Sequence, residues 1–205
     1  TIVEYHMPVL DFEFRFEQSI ALYPPLYLIF GGEIGAHIDL TFGYDTYGLQ
    51  KFFGSSDKNA GDIFDGFFIK DVNDQGEDVP EIVLSGGIFA GLKLDGGIAE
   101  AGVTGGVFVE IEFNLNDPDD DGKVRVSELI ANAKHDIRCI FDIHGELFVE
   151  LTAFLKIHLL VVDLEFEWDF PRITLLTFDL VCPEPVLADV DGHGNDVAVQ
   201  SGDAG

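Results

Sequence analysis

Apolar and polar residues alternate along most of the chain. Leu10, Phe12, Phe14 and Phe16 are interleaved with Asp11, Glu13, Arg15 and Glu17. Ile34, Ala36, Ile38, Leu40 and Phe42 alternate with Gly35, His37, Asp39 and Thr41, and Val107, Val109, Ile111, Phe113 and Leu115 repeat the pattern against Glu110, Glu112 and Asn114. From Leu147 to Val161 every odd position is apolar. The phase then flips near Val162 and Asp163, so that Leu164, Phe166, Trp168 and Phe170 form the apolar set against Asp163, Glu165, Glu167 and Asp169. Period two is the mark of strands with one face in a core and the other in water, and a phase flip needs a turn or bulge. The spacing therefore predicts a mainly β fold, an antiparallel sandwich or barrel of roughly eight to ten long strands, with each apolar set facing inward.

Turn chemistry separates the alternating runs at Gly43 to Gly48, Gly54 to Gly61, Asp95-Gly96-Gly97 and Pro171. Glycines cluster from Gly86 to Gly106, and those inside strands mark curvature or close approach by another chain. One segment, Ser127 to about Lys134, has Leu129, Ile130 and Ala133 at helical spacing and Glu128 in its first turn, so a single short helix is expected there. Residues 1–182 read as one β-domain. Pro183 and Pro185 then open a Gly/Asp-rich tail or linker over 183–205.

Charge sharpens the picture. The chain carries 11 basic and 38 acidic residues, a formal net charge of −27. Phosphate backbones would repel it, which excludes nucleic acid as a partner, and an anionic membrane surface is disfavoured for the same reason. With 47% apolar residues, wholesale disorder is excluded. The longest apolar runs are about five residues, as in Leu26 to Phe30, so no transmembrane helix is expected. The chain starts at Thr1 without a basic segment followed by an apolar one, so any signal peptide is expected to have been removed, or the chain to be a processed piece.

The most specific motif is Asp117-Pro118-Asp119-Asp120-Asp121-Gly122-Lys123-Val124-Arg125-Val126-Ser127-Glu128. Counting Asp117 as position 1, side-chain oxygens fall at 1, 3 and 5 (Asp117, Asp119, Asp121), Gly122 is at 6, Val124 at 8 and Glu128 at 12. Calcium takes six to eight hard oxygens at about 2.3–2.6 Å, and alternate residues of a tight loop can point theirs inward. Lys123 would supply its backbone carbonyl and Glu128 would close the site with both oxygens. These twelve residues and the following helix resemble EF-hand and dockerin-type calcium loops. They depart from that pattern in having a strand before the loop and in Arg125 at position 9, which cannot ligate. The resemblance implies one structural Ca²⁺ loop grafted on a sheet.

Two further loops are weaker. Asp189, Asp191 and Asn195 lie in a stretch similar to the aspartate-rich loops of calcium-binding repeat modules, with His193 at position 5 and Gln200 at 12. Asp71 and Asn73 open a similar stretch that lacks a terminal Glu. Each is a polar turn or a calcium site without its bidentate ligand. The order of Gly-rich strands, acidic loop, helix and long amphipathic strands resembles β-modules of very large secreted or cell-surface bacterial proteins. That resemblance implies adhesive or structural roles and an extracellular or cell-surface location. The cysteine count is even, and with calcium pointing outside the cell a disulfide between Cys139 and Cys182 is expected.

No nucleophile elbow, His-Glu-x-x-His, P-loop or Cys-x-x-Cys occurs. With 38 acids, carboxylate pairs arise by chance, so the expectation is no enzyme. The leading expectation is a calcium-stabilised extracellular structural or adhesive module. Its partners would be copies of itself or neighbouring modules, with Thr1 to Ser19 as a candidate exchanged strand. The alternative is a calcium-dependent carbohydrate-binding module recognising glycans through Tyr44 and Tyr47.

Overall fold

A computed structural model describes residues 1–73 and 75–183. The strands are β1 (Val3–His6), β2 (Leu10–Tyr23), β3 (Leu26–Ile38), β4 (Thr41–Tyr44), β5 (Phe67–Lys70), β6 (Ile82–Asp95), β7 (Ala99–Leu115), β8 (Lys123–Arg125), β9 (Phe141–His158), β10 (Asp163–Asp169) and β11 (Ile173–Leu180). All pair antiparallel, in two sheets. The large sheet has seven strands in the order β10-β9-β7-β6-β3-β2, with β11 also on β9. The strands β10 and β11 occupy successive stretches of the same edge of β9, interrupted at Pro171. A small sheet of four strands, β1-β4-β5-β8, sits at one end of the long strands.

The connections divide by end. At one end the turns are short: Pro24-Pro25 between β2 and β3, Gly96–Ile98 between β6 and β7, and Leu159–Val162 between β9 and β10. The last is the expected phase flip. At the other end the connections carry the small sheet and the helices α1 (Tyr47–Gly54) and α2 (Val126–His135), with 3₁₀ turns at Ala60–Gly66 and Ile137–Cys139. We call this end the cap. The sequence predicts only α2, within one residue at either end. It misses α1 because the glycines bracketing that segment read as turns, and eight residues are too few to establish a helical period.

The facing of the large sheet is the main departure from expectation. Register places Phe12, Ala36, Leu84 and Ile111 side by side on one face, and Phe14, Ile34, Gly86, Val109 and Leu147 in the next row. The alternation is therefore as predicted. Yet Phe14 is 57% exposed, Ile88 71% and Trp168 53%, so this set points outward rather than into a core. The other face holds the buried residues Ile29, Phe89 and Phe148 among charged neighbours. Alternation fixes which residues share a face; it carries no information about which way the sheet curls.

Glycines and rings explain the curl. Phe89 lies across Gly31 directly opposite, Phe108 across Gly87, and Phe154 across Gly102. A Cβ on Gly31 would sit 2.5 Å from the Phe89 ring. Bulk is thus laid flat on the polar side, which becomes concave. One cavity of about 280 Å³ is lined jointly by Arg15 of β2 and Asp169 of β10, strands at opposite ends of the sheet order. Arg15 stacks on Phe89 at 4.5 Å and pairs with Glu33 at 3.1 Å, and Lys93 pairs with Glu100 at 3.1 Å. A second core, of Phe68, Leu115, Val124 and Cys139, lies in the cap.

Cys139 and Cys182 are joined by a disulfide, as expected, which suggests a non-reducing environment. It ties the 3₁₀ turn that follows α2 to the chain just beyond β11. No helix among the described residues is long and apolar enough to cross a membrane.

Candidate metal centre

The acidic loop leaves β7 and enters α2 through β8. Two of its residues take left-handed backbone angles, Asp120 at φ 56° and Gly122 at φ 75°. At Gly122 this is the sharp turn that position 6 requires, and Val72 packs 3.0 Å from where a Cβ would be. The Gly122 amide donates to Asp117 Oδ2 at 2.7 Å, which pulls Asp117 inward. Its other oxygen, Oδ1, is buried without a hydrogen-bond partner.

Asp117, Asp119 and Glu128 each bring a carboxylate oxygen within 4.8 Å of the others. Oxygens at about 2.3–2.6 Å from a common ion are separated by at most about 5 Å, so this spacing fits Ca²⁺. Glu128 is held in place by the helix: its Oε2 accepts from the Arg125 amide at 2.6 Å, closing the first turn of α2. Burial, then the charges of Asp121 and Asp117, raises the Asp119 pKa. Burial also raises that of Glu128, and Asp119, Asp117 and Asp121 add to it. Two acids whose ionisation is opposed by burial and by their neighbours' charges, beside a third with an unpartnered buried oxygen, form a donor set suited to a divalent cation.

Asp121 is placed differently. Asp121 Oδ2 accepts from Arg125 Nη2 at 3.0 Å, and it is not among the three converging carboxylates. Lys123 lies in β8 opposite Lys70, with its ammonium 3.1 Å from Asp45. Arg125, which cannot ligate a cation, is the organiser of the region. Its side chain is 5% exposed. It donates to both Asp45 oxygens at 3.3 Å, to the Asp65 carbonyl at 3.2 Å and to Asp121, and lies 4.3 Å over the Tyr47 ring. Burial opposes ionisation of Asp45, but the Tyr47 amide, Lys123 and Arg125 outweigh it and lower its pKa. Asp65 anchors the start of α2, accepting from the Ser127 amide at 3.1 Å and from Lys51. The only hint of this network in the sequence is the rarity of basic residues in so acidic a chain.

The weaker loops fare unequally. Asn73 Oδ1 accepts from the Gln75 and Glu77 amides at 2.9 and 3.0 Å, so it closes its own turn. Asp71 points elsewhere. It is 5% exposed, bonds to Glu81, itself 3% exposed, and leaves Oδ1 without a partner. Burial, then Asp78, raises the Asp71 pKa to about 7. Burial, with a contribution from Asp71 and against the bond from the Leu115 amide, raises that of Glu81 to about 8. Sequence reading missed Glu81, which follows a proline and looks like an ordinary surface acid. Asp189, Asp191 and Asn195 lie outside the described residues.

Tyr44 is half-buried, with its hydroxyl 3.4 Å from the Ile63 carbonyl and its ring against Phe67, while one face of Tyr47 is covered by Arg125. His135 lies near both cysteine sulfurs, but those are consumed in the disulfide.

No family model, no curated protein and no solved structure matches this chain.

Proposed function

We propose that this chain is a calcium-stabilised structural module of the cell surface or extracellular space. The observation that carries the reading is the convergence of Asp117, Asp119 and Glu128, one of which, Asp117, keeps a buried, unpartnered oxygen. The ion would sit where β7, β8 and α2 meet, so binding would lock the cap to the large sheet. A cation also offsets part of the −27 net charge, which otherwise works against compaction. The disulfide and the calcium concentrations found outside cells are consistent with that compartment. The module's role is architectural: it presents a large sheet, and its partners are further modules or copies. The stretch Thr1 to Ser19 pairs within its own chain, β1 on β4 and β2 on β3, which leaves the outer edge of β2 for any such pairing.

Thermal melts with excess chelator and with millimolar calcium test this. Binding at a hundred times Kd stabilises by about 2.7 kcal/mol, a rise in Tm of roughly 5–10 °C for a domain of this size. Asp119→Ala combined with Glu128→Ala should remove the rise. Superimposable melts for the unaltered protein would sink the proposal.

A further inference from the structure

The outward apolar face of the large sheet is unaccounted for by a calcium module. Its paired positions, from Leu10, Ile38, Ile82, Phe113 and Ile143 at the cap to Leu26, Leu94, Ala101, Leu155 and Phe166 at the short turns, include no charged residue, and Gln18 is the one polar side chain among them. With strands about 4.8 Å apart and face residues about 6.8 Å apart, this covers on the order of 1,400 Å². The largest apolar patch of a soluble monomer is about 300–600 Å². We propose that this face contacts the acyl chains of a lipid bilayer, the large sheet forming part of a membrane-spanning β-wall.

Shape selects lipid over a second copy. The apolar face is convex, because the cavity joining Arg15 to Asp169 lies on the polar side. Two convex faces meet along a strip and bury little of each. A convex face against a concave one would set apolar residues on Arg15, Glu33, Lys93 and Glu100, whose desolvation is costly. Hydrocarbon chains conform to a convex wall. The dimensions also agree. A strand crosses hydrocarbon with about 9–11 residues at a tilt near 45°, and β2, β3, β6, β7 and β9 have 14, 13, 14, 17 and 18. The connectivity is of the same kind: neighbouring long strands follow one another in sequence, with short turns at one end and long structured connections at the other. Apolar-out and polar-in alternation completes the pattern. In hydrocarbon the edges at β2 and β10 must also be paired.

Trp168, the one tryptophan, lies on this face and reports on it. The 205-residue chain would be mixed with neutral phosphatidylcholine vesicles, and in parallel with vesicles of the same lipid brominated along its acyl chains. The expected result is co-flotation with both, a blue-shifted emission, and at least twofold quenching by the brominated lipid alone. A double variant, Ile88→Ser with Leu92→Ser, should lower the floated fraction several-fold while retaining the calcium-dependent melt. Protein left at the bottom of the gradient overturns the proposal. So does a blue shift without bromine quenching, accompanied by dimers in sedimentation, which would assign the face to a second copy. Neither result depends on the metal, so failure here is separable from failure of the calcium reading.

Discussion

Among single residues, Glu81 makes the sharpest prediction. Its folded pKa, about 8, lies above the ordinary 4.5 of an exposed glutamate. The folded state therefore holds more protons than the unfolded one between those values. Its contribution to stability is present at low pH and is lost as pH rises through that window. Glu81→Gln keeps an acceptor for the Leu115 amide, which donates to Oε2 at 2.7 Å, and can no longer ionise. Denaturant melts should show the variant equal to the parent near pH 4 and more stable at pH 9, by on the order of 2 kcal/mol. Equality at both pH values would mean that the carboxyl is better solvated than its burial implies. Arg125 illustrates the reverse case. Its charge is buried but matched by Asp45 and Asp121, so removing either partner would strand an ion.

At the scale of strands, the curl of the large sheet depends on rings lying over glycines. Gly31→Ala would put a methyl 2.5 Å from the Phe89 ring and 2.2 Å from the Phe16 carbonyl, a backbone atom that cannot swing aside. A cost of about 1–3 kcal/mol follows from overpacking, read as a lower midpoint in urea. An unchanged midpoint would show that the ring has room to turn. The strands themselves were legible in the sequence because a half-buried strand writes its period into the chain. The helix α2 was legible because Leu129, Ile130 and Ala133 recur at helical spacing behind Glu128 in the first turn. What could not be read is the side toward which the sheet bends. Phe12, Phe14 and Phe16 look like core in any alternating strand, whereas the deciding interactions are cross-strand, between residues as far apart as Gly31 and Phe89. The three converging carboxylates were likewise legible from spacing. The diversion of Asp121 to Arg125, and of Asn73 to its own turn, depends on neighbours that spacing does not reveal.

For the molecule as a whole, the cap and the large sheet are joined covalently as well as by packing. Cys139 follows α2 and Cys182 follows β11, closing a loop of 43 residues. Chain-entropy reasoning gives about 4 kcal/mol for a crosslink of that span. Replacing both cysteines with serine should lower Tm by roughly 8–16 °C at the slope expected for a domain of this size, with calcium recovering part of the loss. A variant that melts with the parent would mean that packing alone holds β11. The division of turns between the two ends has a consequence for how the chain is threaded. Counting β10 and β11 as one interrupted traverse, the polypeptide crosses the long dimension of the sheet six times. An even number of crossings returns a thread to the side it left. Thr1 and Cys182 therefore both lie at the cap end of the long strands, which leaves the short-turn end free to advance.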